Sequence, residues 1–179
     1  MSESPVNSYE GERNEQFERQ GTGKATYTNG DYYDGQFEHG KRSGTGIYKY
    51  MENEKQVAIY SGSWLNGNKE GQGKFSYTNG GVYEGSFSNG ERDGLGIYTY
   101  PNMDHYKGQW KQNKKNGEGE YFKFESKIVV RGTWVDGVIT GSIKISREDG
   151  ELEGEVEDGA LKTYKFLTID GASIAVEQS

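Results

Sequence analysis

Cysteine is absent from this sequence, and proline occurs only twice. Without thiols the chain can form no disulfide, no cysteine-ligated zinc site and no thiolate nucleophile. Pro5 and Pro101 both fall outside the strands predicted below, so no strand contains a residue that lacks a backbone donor. These absences exclude disulfide-stapled and zinc-finger scaffolds and leave nearly every backbone group available for sheet pairing.

Long hydrophobic runs are missing as well. No stretch approaches the ~20 apolar residues of a membrane-spanning helix, and the opening MSESPVNSYEGE lacks the apolar segment of a secretory signal. We therefore expect a protein of the cytoplasm or of a compartment continuous with it. The formal net charge of −7 disfavours non-specific binding to nucleic acid and adhesion to an anionic membrane leaflet.

Glycine and aromatic residues take the place of the scarce aliphatic residues. Glycine accounts for 28 of the 179 residues and tyrosine for 14, against an ordinary glycine share of about 7%. Val, Ile and Leu are too few to cover the facing surfaces of two packed layers. We therefore expect the chain to bury aromatic rings against glycine.

These residues recur at a period of roughly 23 residues, which is typical of stacked repeat arrays. Each of the four regular copies has Tyr first, Gly at plus two, an aromatic residue at plus four, and Gly at plus eleven and plus thirteen. We predict structural roles for Tyr33, Gly35, Gly44 and Gly46; Tyr60, Gly62, Gly71 and Gly73; Tyr83, Gly85, Gly94 and Gly96; and Tyr106, Gly108, Gly117 and Gly119.

The array is irregular at both ends. The first copy starts at Tyr9, and its Gly-x-Gly pair, Gly21 and Gly23, comes one residue late. The second copy carries extra residues near 52–57, which we expect to form a charged bulge between strands. The sixth copy begins with Val130 and has Ile143 in place of its last glycine. A seventh is only a remnant ending at Gly159. Decay of this kind is typical of a terminal cap.

Each copy predicts a β-hairpin, because aromatic and glycine positions alternate with polar ones and Asn-Gly pairs mark turns at 29–30, 66–67, 79–80 and 89–90. The predicted fold is all-β: an elongated, twisted, single-layer antiparallel ribbon of about thirteen strands. Residues 1–8 are expected to be flexible, 9–159 to form the array, and 160–179 to form a closing hairpin with its turn at Asp170–Gly171. A tail that pairs with a partner is the alternative for the last segment.

Motifs that could carry chemistry have simpler structural readings. The GxGK segments at 21–24 and 71–74 lack the rest of a phosphate loop. His39 and His105 have no partner spacing for a metal or for catalysis. The alternating glutamates of 151–157 share one strand face. We expect a solvated face that discourages edge pairing; calcium binding, an acid–base couple and docking to a basic partner are the alternatives. We expect no catalytic residue, no metal and no cofactor.

Two sets of residues are candidates for partner binding. The position two before each Gly-x-Gly is basic in five copies, which predicts a column along one edge that either stacks on rings or docks an acidic segment or a phosphoinositide. Tryptophan at plus four is expected to stay partly open to water and to anchor an interface. The candidates are Arg19, Arg42, Lys69, Arg92 and Lys115, and Trp64, Trp110 and Trp134.

The signature Tyr-x-Gly-x-Trp/Phe-x-x-Gly-x-[Lys/Arg]-x-Gly-x-Gly resembles the MORN repeat, the membrane occupation and recognition nexus, over about residues 9–159. Within that family, the opening YEGERNEQFERQGTGKATYTNGDYYDGQFEHGKRSGTGIYKY is similar to the members found in the radial spoke heads of motile cilia. The 52–57 insertion and the lack of a long acidic tail depart from that pattern.

The resemblance implies a non-enzymatic scaffold in the radial spoke head of the axoneme, where it assembles with the other spoke head subunits and passes signals between the central apparatus and the dynein arms. Self-association within the spoke head is also expected. The alternatives are a phospholipid-binding, membrane-tethering module and another cytoskeletal MORN scaffold. The acidic total argues against lipid contact and nucleic-acid binding.

Overall fold

The structure, a computed structural model, describes residues 4–157, 159–167 and 173–178. Within these residues all regular secondary structure is β-strand. The chain divides into two compact units, with the boundary between Glu91 and Arg92. In each unit every strand pairs antiparallel with the next strand in the sequence, as the hairpin repeat predicts.

Seven strands lie in the first unit. They are β1 (Val6–Arg13), β2 (Arg19–Tyr27), β3 (Tyr32–Glu38), β4 (Lys41–Glu52), β5 (Lys55–Leu65), β6 (Asn68–Tyr77) and β7 (Val82–Ser88). Strand β1 begins at Val6, so the loose segment expected over residues 1–8 is too long.

The second unit holds the remaining strands, the first of which starts one residue before the boundary. They are β8 (Glu91–Thr99), β9 (His105–Lys111), β10 (Lys114–Lys123), β11 (Ile128–Val135), β12 (Val138–Arg147), β13 (Gly150–Glu157), β14 (Ala160–Leu167) and β15 (Ser173–Gln178). The predicted all-β antiparallel hairpin fold is confirmed. The described residues contain fifteen strands, two more than expected.

A tyrosine ring lying across paired glycines forms the core of each regular repeat. Tyr60 is fully buried, and Gly62 and Gly73 stand opposite each other on β5 and β6. A Cβ atom on Gly73 would lie 2.5 Å from Tyr60 Cε2, and one on Gly62 would lie 2.6 Å from the Gly73 Cα. No side chain fits at either position, which explains why glycine recurs in strands that it would otherwise weaken.

Edge-to-face ring contacts join successive repeats. The Tyr60 ring packs against Trp64 of its own strand at a centroid distance of 5.2 Å and against Phe87 of β7 at 5.1 Å, both near perpendicular. Such pairs contribute ~0.5–1.5 kcal/mol each beyond the burial of their area. The Tyr60 hydroxyl donates a hydrogen bond to the Ser63 carbonyl (2.9 Å), so the buried phenol is satisfied.

The first glycine of each regular Gly-x-Gly recurs for a different reason, which is a positive backbone φ. Gly44 has a φ of 67°, at a register shift between β3 and β4, and this left-handed conformation disfavours any residue with a Cβ. The Gln36 side-chain oxygen accepts a hydrogen bond from the Thr45 amide (2.7 Å) at this bulge. The glycine at plus eleven is therefore required by the backbone rather than by the ring.

The insertion near residues 52–57 lengthens a hairpin and does not form the expected bulge between strands. Strands β4 and β5 run up to a two-residue turn at Asn53 and Glu54, both with positive φ. A register shift between Tyr50 and Met51 absorbs the odd residue. The expectation was wrong because backbone pairing continues through the charged residues, whose side chains point to solvent.

The array ends differently from how it runs. Strands β14 and β15 pair antiparallel, in agreement with a closing hairpin, and the predicted turn at Asp170–Gly171 lies outside the described residues. In the sixth repeat Ile143 is buried, and a Cβ on Gly132 would lie 3.1 Å from Ile143, 3.2 Å from Ile139 and 3.3 Å from the Ser142 carbonyl oxygen. An aliphatic side chain thus replaces the tyrosine ring.

Candidate partner-binding surfaces

The three tryptophans are interior residues. Trp64, Trp110 and Trp134 are 5%, 5% and 4% exposed, so the expectation that they stay open to water is wrong. Their indoles pack edge-on against the repeat tyrosines, and Trp64 Nε1 donates to the Gly46 carbonyl (3.3 Å). The same strand geometry that sets them at equal spacing also places a neighbouring repeat on each ring. Their role in partner binding stays a prediction.

Burial also governs the repeat tyrosines. It raises the pKa of Tyr33 and of Tyr60 far above the ordinary value, and that of Tyr106 to about 12. Loss of solvation is the largest cause in each case, since the charged phenolate is disfavoured away from water. These phenols stay neutral at physiological pH and act as hydrogen-bond donors to backbone carbonyls.

The basic position of each repeat lies on the aromatic face. Arg42 is only 8% exposed, and its guanidinium lies 4.4 Å from the centroid of Trp64 and 4.7 Å from that of Tyr48. Arg19 lies over Phe37 in the same manner. Lys69, Arg92 and Lys115 also lie over rings of their own units.

The same residues connect consecutive hairpins. Arg42 Nη2 donates to the Gly67 carbonyl (2.7 Å), and the Gly67 amide donates back to the Arg42 carbonyl (2.9 Å). Arg92 makes both bonds with Asn113, and Arg19 donates likewise to Gly40. The arginines therefore have a structural role that the ring-stacking hypothesis anticipated. Docking through the column stays a prediction.

Two aspartates that the sequence analysis did not identify accept hydrogen bonds from the hairpin that follows them. Asp31 is 6% exposed and accepts hydrogen bonds from the Tyr48 hydroxyl and the Met51 amide, both at 2.7 Å. Asp104 does the same with Tyr121 (3.0 Å) and Phe124 (2.8 Å). The Phe124 amide is the main cause that lowers the pKa of Asp104.

A sequence signal for these aspartates exists. Asp31 and Asp104 each stand two residues before a repeat tyrosine, Tyr33 and Tyr106 respectively. From the sequence, an aspartate at a turn is expected to bond only to the backbone of its own turn. Only the three-dimensional structure brings the phenol and the amide, about one hairpin further along the chain, to the carboxylate.

On the polar face of the second unit, some of the glutamates of β13 form ion pairs with lysines of the neighbouring strands. Glu151 pairs with Lys144 and Glu153 with Lys165 (3.2 Å), while Glu155 accepts a hydrogen bond from Ser142 (2.6 Å). These contacts lie between partly exposed side chains, which agrees with the prediction of a solvated strand face. Among the described residues, no group of His, Asp and Glu is arranged to hold a metal ion.

The remaining motifs also lie in plain strand surroundings. His39 sits in a turn with its Nδ1 3.5 Å from Glu18, and the His105 ring packs on Phe122 at 4.9 Å. The two GxGK segments run within β2 and β6, with no helix after them. No helix in the described part of the chain is long and apolar enough to cross a membrane.

An antiparallel hairpin array with a tyrosine over paired glycines in each repeat defines a hairpin-repeat scaffold module. The model of the MORN repeat matches residues 18–32, 33–52, 60–82, 83–102 and 106–123, which is more than half of the chain. The chain therefore belongs to the MORN-repeat family. No curated protein sequence matches it.

Solved structures resemble the fold at low identity. The TCP domain of Drosophila melanogaster SAS-4, in complex with a proline-rich motif of Ana2, has a TM-score of 0.57 and 15% identity, covering 100% of this chain and 97% of that one. The TCP10c domain of Drosophila melanogaster Sas-4 gives 0.53 and 16%, covering 96% and 100%. At this identity the likeness concerns the fold.

Proposed function

We propose that this chain is a non-enzymatic scaffold subunit of the radial spoke head in the axoneme of motile cilia. It assembles there with the other spoke head proteins and helps to pass signals between the central apparatus and the dynein arms. The observation that supports this proposal best is the opening sequence from Tyr9 to Tyr50, which resembles that of the spoke head members of the MORN family.

The packing of the repeats supports a role in protein contact. The first tyrosines of the regular repeats and the tryptophans are buried against the protein's own rings, so each hairpin presents mainly its polar face and its turns to the surroundings. A repeat array of this kind offers a large surface for its length. The SAS-4 TCP domain of similar fold was solved in complex with a proline-rich motif of Ana2, and we propose a protein partner for this chain as well.

The test is localisation and assembly in a ciliated cell. A tagged full chain should lie along motile axonemes and co-purify with the other spoke head subunits. The matched control is the Gly62→Val variant, whose side chain would collide with the Gly73 backbone, and it should be lost from both. Tagged protein that is folded, abundant and spread through the cytoplasm would contradict the proposal.

Phospholipid tethering is the alternative. At physiological salt, phosphoinositide-containing vesicles should not carry the purified chain upward in a flotation gradient, because a protein with a net charge of −7 is repelled by an anionic surface. Robust co-flotation would favour the lipid-binding function.

A further inference from the structure

One hairpin end is basic in a chain that is acidic overall. Between His105 and Gly117, the sequence has four lysines and neither Asp nor Glu. Three of these lysines, at positions 111, 114 and 115, flank the turn between β9 and β10. Residues 111–115 at this turn therefore hold three lysines and neither Asp nor Glu.

The register places like charges against each other at this turn. Lys111 and Lys114 are direct cross-strand partners, an arrangement that destabilises a sheet. In the β3–β4 hairpin the equivalent partners are Glu38 and Lys41, which attract. The repeat thus tolerates an opposite-charge pair at these positions, and the lysine pair is a specific departure that folding does not require.

The turn residues Asn113 and Lys114 also line a cleft of about 320 Å³. Its remaining lining includes Tyr98, Tyr100, Trp110, Arg92 and Lys115. The Lys115 ammonium is 4.9 Å from the ring centroid of Tyr121. The cleft therefore combines aromatic surface with positive charge.

Of the three lysines at this end, Lys114 is the one that forms an ion pair within the described residues. Lys114 approaches Asp136 at 3.2 Å, but both side chains are more than half exposed, so the pair is weak. Neither Lys111 nor Lys115 has an ion-pair partner within the described part of the chain. Carboxylates from another molecule would fit what the hairpin itself leaves unneutralised.

We propose that the β9–β10 hairpin end binds an acidic segment of a protein partner. The Lys111, Lys114 and Lys115 ammonium groups would receive its carboxylates, and the ring-lined cleft would take an adjoining apolar side chain. This rests on the proposed function as a protein-binding scaffold. A flexible peptide reaches one positive turn while avoiding the negative remainder, whereas a membrane or a duplex presents an extended anionic surface that the remainder repels.

The test uses the full chain and a fluorescein-labelled peptide of alternating glutamate and glycine, with the glutamine version of the peptide as its control. Fluorescence anisotropy should show binding of the glutamate peptide at low ionic strength that weakens with added salt. The Lys111→Gln/Lys114→Gln variant should bind about tenfold more weakly, because charge pairs at an interface are lost. Its thermal stability should not fall, since a repulsive pair is removed.

The matched control is Lys41→Gln/Lys55→Gln, which changes the net charge equally at exposed lysines of the first unit. It should bind within about twofold of the parent, as a remote charge is screened. Equal weakening of both variants, or undiminished binding by the first, would overturn the inference. So would binding to phosphatidylcholine vesicles doped with a phosphoinositide when the glutamate peptide is not bound.

Failure here is distinguishable from failure of the proposed function. A chain that assembles with the spoke head subunits in cells but ignores the glutamate peptide refutes the hairpin-end inference alone. A chain that binds the peptide, loses that binding in the Lys111→Gln/Lys114→Gln variant and stays off the axoneme refutes the spoke head assignment alone.

Discussion

The third and sixth repeats build the same hairpin around different cores. In the third repeat, the Tyr60 ring covers the facing glycines Gly62 and Gly73. The sixth starts with Val130, keeps the first glycine as Gly132 and has the buried Ile143 where Gly73 stands in the third. Both retain a buried tryptophan at plus four, Trp64 and Trp134.

This difference shows that the tyrosine and the last glycine are one unit of packing. When the ring is absent, the facing strand supplies side-chain volume in its place, and the interior stays filled. A Cβ at Gly62 would meet backbone at 2.6 Å, whereas one at Gly132 would meet Ile143 Cγ2 at 3.1 Å. The sixth repeat is therefore less crowded at a position that the sequence alone makes look equivalent.

The largest expected effect comes from removing the ring of the third repeat. Tyr60→Val should lower the free energy of unfolding by about 4 kcal/mol, as other large core truncations do. Gly73→Ile should also destabilise, because Tyr60 occupies the space. The double variant, which copies the sixth repeat, should be more stable than the sum of the single effects by about 1–2 kcal/mol. Urea unfolding of all four proteins measures this coupling, and strictly additive effects would refute the paired-packing interpretation.

A smaller contrast is expected between matched glycines. Gly62→Ala should cost about 2–3 kcal/mol, because its methyl group must push the Gly73 backbone away. Gly132→Ala should cost less than about 1 kcal/mol, since its two nearest contacts are side chains that can shift and the nearest backbone atom, the Ser142 oxygen, is 3.3 Å away. Thermal and urea unfolding of the two variants compare the repeats directly. Equal losses would show that glycine is needed for backbone reasons in both.

The smallest expected effect concerns acid. The fifth repeat has Asp104 where the sixth has Ile128. Folding lowers the pKa of Asp104 from its ordinary 3.8, chiefly through the Phe124 amide. Its stabilisation is thus fully present above pH 3.8 and is lost as the pH falls through the lower, folded-state pKa.

Asp104→Asn should therefore be less stable than the parent at neutral pH, and its melting temperature should depend less on pH in the acid range. Asp149→Asn, at an exposed position, serves as the control and should follow the parent. An Asp104→Asn profile parallel to that of the parent would mean that the carboxylate contributes nothing through its charge.

The local pattern was sufficient to predict much of the fold. Alternation fixed which residues share a face, Asn-Gly pairs located turns, and the repeat spacing identified the tyrosines and glycines of the core. These features depend on residues within one hairpin, which lie close together in the sequence. A periodic sequence is therefore sufficient to predict them. The sequence pattern did not predict the longer β4–β5 hairpin, because strand pairing can continue through charged residues.

The sequence by itself determined that this chain is an antiparallel array of ring-and-glycine hairpins, because those residues act within a single repeat. Tertiary structure decided which of them meet solvent. The burial of Trp64 and Arg42 and the role of Asp31 depend on groups supplied by the adjacent hairpin. The two lysines at the β9–β10 turn are likewise present in the sequence, but only the strand register shows that the like charges of Lys111 and Lys114 face each other. Contacts between repeats set exposure and charge balance, and one repeat's sequence does not contain them.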